Sequence, residues 1–168
     1  MLEYVSKTKS TSISDSAADD LVNKVNNLIE KEHTDEFSVG RIRNDLQESM
    51  EENAKIFRSE ETLSKQTEIL ENLRERYENV TIFDKGKVFN TELMEAIELD
   101  YLLDMSESTV ASALARKESR GAHSRQDFPD RDDGNFMKHS FAFKNGNSAN
   151  LRYKDVELGK YEPMERKY

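Results

Sequence analysis

Between Leu21 and Ala113 the apolar residues recur at spacings of three and four, in four runs that each follow a Ser or an Asn. This period places one apolar stripe on one side of a helix, and a Ser or Asn before it can cap the first turn. Ser16 precedes Leu21, Val25 and Leu28. Ser38 precedes Val39, Ile42, Leu46, Met50 and Phe57. Ser59, followed by the acidic Glu60 and Glu61, precedes Leu63, Leu70, Leu73 and Tyr77. Asn90 precedes Leu93, Met94, Ile97, Tyr101, Leu102, Met105, Val110 and Ala113, and residues 80–89 between the third and fourth runs read as a loop. Single stripes are buried only against one another, so the pattern predicts a mainly α fold, a three- to four-helix antiparallel bundle. The fourth run is apolar on more than one side and is predicted to be the central helix.

The pattern changes after Ala115. Arg116, Lys117 and Arg120 are predicted to face the negative end of the fourth helix, and Gly121 to supply the left-handed residue that stops it. Farther on, Phe141 and Phe143 alternate, Asn145-Gly146 intervenes, and Leu151 and Tyr153 alternate. Asn-Gly between alternating runs predicts a small C-terminal β hairpin, which needs the bundle or a partner for support. Residues 161–168 read as an extended tail, and residues 1–15, rich in Ser and Thr, as a flexible connection. The chain therefore divides into 1–15, a bundle over 16–121, and an interface loop with hairpin and tail over 122–168.

Charge narrows the function classes. The net charge of -9 leaves no surplus of Lys and Arg to neutralise phosphates, which argues against a nucleic-acid partner and against anionic membrane surfaces. No apolar run reaches the length needed for direct membrane insertion. Without cysteine there is no thiolate nucleophile and no Cys-ligated metal. The six glycines are scattered, so no phosphate or dinucleotide cradle is visible.

The densest chemistry lies in residues 116–133. His123 stands among Arg120, Arg125 and Asp127, where an acid–base role competes with the plainer one of a hydrogen-bonder beside a helix end. Asp130, Asp132, Asp133 and Gly134 have the composition of a calcium loop, but position 5 counted from Asp130 is Gly134 and position 12 is Phe141. The expected reading is an acidic turn paired with Arg. His33, His123 and His139 lack zinc spacing. Phe136, Phe141, Phe143 and Tyr153 could form a stacking platform, but core packing is the expectation.

The run Arg-Lys-Glu-Ser-Arg-Gly-Ala-His-Ser-Arg-Gln-Asp-Phe-Pro-Asp-Arg-Asp-Asp over 116–133 resembles the C-terminal region of succinate dehydrogenase and fumarate reductase flavoprotein subunits. The likeness extends through Asp45-Leu-Gln-Glu-Ser-Met50, Phe89-Asn-Thr-Glu-Leu93, Asn135-Phe-Met-Lys-His-Ser140 and the final Pro163-Met-Glu-Arg-Lys-Tyr168, covering residues 38–168. The wording of 123–133 is closer to the succinate dehydrogenase branch. Fumarate reductase, L-aspartate oxidase and a free-standing helical interaction module are the alternatives. The resemblance implies a parent that oxidises succinate to fumarate and passes electrons through FAD to an iron–sulfur subunit and quinone. Its location would be peripheral, at the cytoplasmic face of a bacterial inner membrane or the mitochondrial matrix side. The family's flavin-binding and catalytic residues match no position of this chain. It is therefore expected to hold no cofactor or metal, to have no activity alone, and to pack on a flavin domain. Arg120, His123, Arg125, Asp127 and Arg131 are the expected interdomain contacts.

Overall fold

The computed structural model describes Lys7 and residues 14–146, 148–161 and 163–164. The expected connection over 1–15 and tail over 161–168 therefore lie largely outside the described residues. Four long helices form the bundle: α1 (Asp15–Glu30), α2 (Val39–Asn53), α3 (Glu60–Glu78) and α4 (Thr91–Ala115). A 3-10 turn (Asp35–Phe37) links α1 to α2. Two short strands, β1 (Phe57–Arg58) and β2 (Ser124–Arg125), pair in parallel, and a short helix α5 (Asp133–Phe136) precedes the hairpin of β3 (Lys138–Asn145) and β4 (Ser148–Asp155).

The starts of α3 and α4 are where their local chemistry puts them. The Ser59 hydroxyl accepts from the Thr62 N–H while Thr62 Oγ1 accepts from the Ser59 N–H, a reciprocal capping box. Asn90 Oδ1 accepts from the Leu93 N–H at 2.8 Å, and its amide donates back to the carbonyls of Asp84 and Gly86. Helix α1 departs from expectation: Ser14, not Ser16, occupies the cap, and its hydroxyl bonds to that of Ser16 rather than to the backbone. Ser38 does precede α2, but its hydroxyl donates to the Asp35 carbonyl and leaves the helix uncapped by a side chain.

Val39, Ile42 and Leu46 of α2 meet Leu63, Leu70, Leu73 and Tyr77 of α3 and Ala96, Leu99, Leu103, Val110 and Ala113 of α4 in one core. Between α2 and α3 runs a buried polar seam in which Asn53 donates to Gln66 and Gln66 to Ser49. Both Gln66 and Asn53 are buried with their amide groups satisfied, which is the condition for polar atoms to sit in a core. Phe57 does not extend the α2 stripe. The helix ends at Asn53, and Phe57 sits exposed on β1. Loop 79–90 adds to the core instead of merely crossing it: Val80, Thr81 and Ile82 are buried, and Thr81 donates its N–H to the Phe37 carbonyl.

The face of α4 is the main correction. Leu99, Leu103 and Ala96 point inward, whereas Met94, Leu102, Tyr101 at 62% exposure and Met105 at 65% point outward. Helices α2 and α3 cover one side of α4, the hairpin and α1 touch it elsewhere, and among the described residues nothing covers the stripe of Met94, Tyr101 and Met105.

The hairpin forms as the Asn-Gly signal indicates. Asn145 pairs with Ser148, and Gly146 has φ +61, a conformation that suits glycine. The register sets Phe141 and Phe143 opposite Arg152 and Asn150, but Leu151 and Tyr153 opposite Ala142 and Ser140. Direct partners share a face, so the two apolar pairs lie on opposite faces and cannot both meet the bundle. Phe141, Phe143 and Tyr153 are accordingly half-exposed rather than core.

Candidate functional site

Residues 116–133 wrap around two fully buried charges of opposite sign, Arg125 and Glu118, each 0% exposed. Arg125 reaches its position because β2 pairs with β1: Arg58 and Arg125 are in register, and Gln126 donates its N–H to the Arg58 carbonyl at 2.8 Å. The guanidinium has five N–H groups, and each has an acceptor. Nε donates to Asp127 Oδ1 at 2.8 Å, Nη2 to Asp127 Oδ2 and Glu60 Oε2, and Nη1 to the carbonyls of Ala113 and Leu114 at 3.0 Å. One side chain thereby closes the C-terminus of α4, holds the first residue of α3 and orders its own loop. Arg125 and His123 fill the role expected of Arg116, Lys117 and Arg120 at the end of α4. Asp127 adds a second tie, accepting from the Glu60 N–H at the positive end of α3. The hydrogen bond from Arg125 holds the Asp127 carboxyl far below the usual carboxylate range.

Glu118 forms the other centre. It accepts from Arg116 at 2.7 Å, from Arg120 through both Nε and Nη2, and from the Asp132 N–H at 2.8 Å. Burial opposes its ionisation, but the bonds from Arg120, Asp132 and Arg116 outweigh that and lower its pKa. Arg116 continues outward to the carbonyls of Phe136 and Lys138 and to Ser140 Oγ, which fastens the hairpin to the loop. Glu118 was not singled out in the sequence. Its only signal is a lone acid enclosed by Arg116, Lys117 and Arg120, a pattern that a solvated surface also produces.

His123 uses both ring nitrogens. Nδ1 lies 3.1 Å from Arg58 Nη1, which can only donate, so Nδ1 accepts and Nε2–H donates to the Arg116 carbonyl at 3.1 Å. This is a neutral tautomer. Burial lowers the pKa of His123, against the opposing pull of the Arg116 carbonyl, and the nearby Arg58, Arg125 and Arg116 charges lower it further. With both nitrogens committed to the fold, His123 serves as a hydrogen-bonder beside the helix end.

Gly121 is left-handed, with φ +60, but it does not stop α4, which ended at Ala115. It takes the first central place of a tight turn in which Arg120 and His123 exchange two backbone hydrogen bonds. Asp133 joins Arg131 and Arg120, which hold its carboxyl down at about 2. Asp132 caps α5 through the Asn135 N–H. The acidic run is thus an Arg-paired turn and a helix cap, and no group of three metal-binding side chains occurs among the described residues. Of the five expected contacts, Arg125 and Asp127 touch directly, Arg120 and Arg131 meet through Asp133, and His123 turns toward Arg58.

The six glycines lie twelve or more positions apart along the chain, so the sequence carries no G-x-G-x-x-G cradle of the kind that holds a dinucleotide.

Residues 43–168 match the family described as fumarate reductase flavoprotein C-term. The chain is 38% identical over 155 residues to the fumarate reductase flavoprotein subunit of Haemophilus influenzae, covering 92% of this chain and 26% of that protein. It is 36% identical over 147 residues to the succinate dehydrogenase flavoprotein subunit of Rickettsia bellii, covering 87% of this chain and 24% of that protein. A solved structure of Escherichia coli quinol fumarate reductase superposes with a TM-score of 0.86 at 33% identity, over 97% of this chain and 28% of the other. The chain thus spans about a quarter of the length of the curated relatives it matches.

Proposed function

This chain belongs to the fumarate reductase and succinate dehydrogenase flavoprotein family, and from that membership we propose that it is the C-terminal helical domain of such a subunit. Its role is structural: it buttresses the flavin domain of a parent protein that binds FAD, interconverts succinate and fumarate, and exchanges electrons with an iron–sulfur subunit and, through it, quinone. The parent sits peripherally on a membrane through its complex. Among the described residues no helix is long and apolar enough to cross a membrane.

The observation that carries the packing role is the outward stripe of α4. Met94, Tyr101, Leu102 and Met105 lie exposed on the longest helix of a chain in which only 35% of residues are hydrophobic. An apolar stripe on that scale marks a surface meant to be covered. Arg120 and Arg131, which keep part of their side chains exposed, supply polar contacts from the loop beyond the end of α4. Arg125, His123 and Asp127 act from behind by fixing the loop that carries them.

The 123–133 wording favours succinate oxidation as the working direction. A second reading, fumarate reduction, is favoured by the identity of 45% over 131 residues to the fumarate reductase flavoprotein subunit of Proteus vulgaris. Assaying the full-length gene product with succinate and an oxidised dye, and with fumarate and a reduced one, separates them by which rate is larger. The structural reading is tested on this chain directly. It should purify colourless and retain no FAD; flavin absorbance that survives desalting would overturn it.

A further inference from the structure

A cleft of about 550 Å³ lies between the C-terminal half of α4 and strand β3. Its lining combines Arg58, Lys138, His139 and Arg116 with the hydroxyls of Ser112 and Ser140, and includes no Asp or Glu. That composition is unusual in a chain with 34 acidic and 25 basic side chains. We propose that this cleft is an oxyanion site, built to take one carboxylate or phosphate group between Arg58 and Lys138.

Arg58 carries most of the inference. Each arginine of the neighbouring loop has a carboxylate: Arg116 and Arg120 share Glu118, Arg125 has Asp127, and Arg131 has Asp133. Arg58 has none among the described residues. Its Nε donates to the carbonyls of Ala54 and Lys55 and its Nη1 to His123 Nδ1, bonds that fix the fork without neutralising it. The guanidinium is half-buried, and burial lowers its pKa, as desolvation without a compensating anion should. A held fork with unused N–H groups matches the two oxygens of a carboxylate or phosphate.

The surroundings keep the cleft positive. Among the described residues the Lys138 ammonium lies over the rings of Phe136 and Tyr153, and its cross-strand neighbour Asp155 forms no ion pair with it. Three carbonyls at the C-terminal end of α4, which would otherwise repel an anion, have donors: Arg125 holds those of Ala113 and Leu114, and His123 holds that of Arg116. Ser112 lines the cleft, and among the described residues its hydroxyl makes no hydrogen bond, which leaves it able to donate. The inference concerns this chain's own side chains and stands whether or not the parent enzyme is the one proposed above.

The test is a titration of the isotopically labelled chain followed by NMR, with inorganic phosphate in one arm, succinate in a second, and sodium chloride at matched ionic strength as control. Saturating shifts confined to Arg58, Ser112, His123 and Lys138 are expected in at least one oxyanion arm. The arm that saturates separates a phosphate site from a carboxylate site. Lys138→Gln, whose ammonium makes no hydrogen bond within the fold, should weaken binding about tenfold, the effect of one lost charge-assisted contact. Arg58→Gln should weaken it at least as much; circular dichroism identifies any loss of fold in that variant. Shifts that stay linear in both arms, follow chloride equally, or are unchanged by Lys138→Gln would overturn the site.

Discussion

Replacing Arg125 with Met should remove a large share of the stability of the bundle. Met keeps an apolar stem but ends about where Nε sits, so the change removes the guanidinium and all of its hydrogen bonds. Two carbonyls at the end of α4, those of Ala113 and Leu114, would lose their donor in a region where Ala113 is buried. Each unsatisfied buried carbonyl costs about 1–3 kcal/mol. The carboxylates contribute less, because the side chains of Asp127 and Glu60 keep 30% and 52% exposure and can turn to water. Together these give about 4 kcal/mol, within the range for breaking a buried ion pair from one side. With a urea m value of about 2 kcal/mol/M the unfolding midpoint should fall by about 2 M. Arg125→Lys keeps the charge but not the planar fork, and should fall between wild type and Met. Arg131→Met, on the same loop but at its rim, should move the midpoint far less. The assay is urea unfolding followed by circular dichroism at 222 nm. An Arg125→Met midpoint equal to that of wild type would refute the role of this side chain as the tie between α3, α4 and the loop.

Two further outcomes are expected. The folded state disfavours protonation of His123, so the unfolded chain binds that proton more readily; stability is full above the ordinary histidine value of 6.5 and declines as pH falls from there through the lowered folded value. The depressed carboxyls of Glu118, Asp127 and Asp133 add a second decline as pH falls below their ordinary values of 4.5 and 3.8, so melting temperature against pH should show two steps, with the first missing in His123→Gln. Asn90→Ala removes the α4 cap and the two bonds into loop 79–90, and should cost about 1–2 kcal/mol by urea unfolding, whereas Ser38→Ala, whose hydroxyl caps no helix, should cost much less.

What was legible in the sequence divides by the range of the interaction. Ser59 with Thr62, Asn90 with Leu93, and Asn145-Gly146 act within a few residues, and each places its element where the local pattern predicts. The buried face of α4 was not legible. Leu99 and Leu103 share the helix with Tyr101 and Met105, and a helix that is apolar on several sides gives no periodic reason to choose one of them. The hairpin shows the same limit, because alternation within each strand is silent on cross-strand register, and register sets the Phe141/Phe143 and Leu151/Tyr153 pairs on opposite faces. In the charged loop, sequence reasoning found Arg125 and Asp127 but passed over Glu118 and Arg58. The partners that define Arg125 and Arg58 lie 65 residues away in the chain, at Glu60 and His123, and only the pairing of β1 with β2 brings them together.

On the proposed reading, the loop and the outward stripe of α4 divide the work of a supporting domain. Arg125, Glu118 and His123 are each satisfied by other partners inside the chain, so they are poorly placed to supply binding energy to anything outside it. What they supply is rigidity: the ends of α3 and α4, the loop and the hairpin share one hydrogen-bonded network, with no buried side-chain polar atom left unpaired among the described residues. A rigid support loses little conformational entropy on docking, which lets the apolar surface of Met94, Tyr101, Leu102 and Met105 contribute more of its burial to the contact. Polar substitution of Tyr101 and Met105 should therefore leave the unfolding midpoint of this chain nearly unchanged while weakening association with the proposed partner, a flavin domain. Arg125→Met should do the reverse in the first measurement. Had the charged loop been the docking surface itself, replacing Arg120 and Arg131 would weaken that association and replacing Tyr101 and Met105 would not.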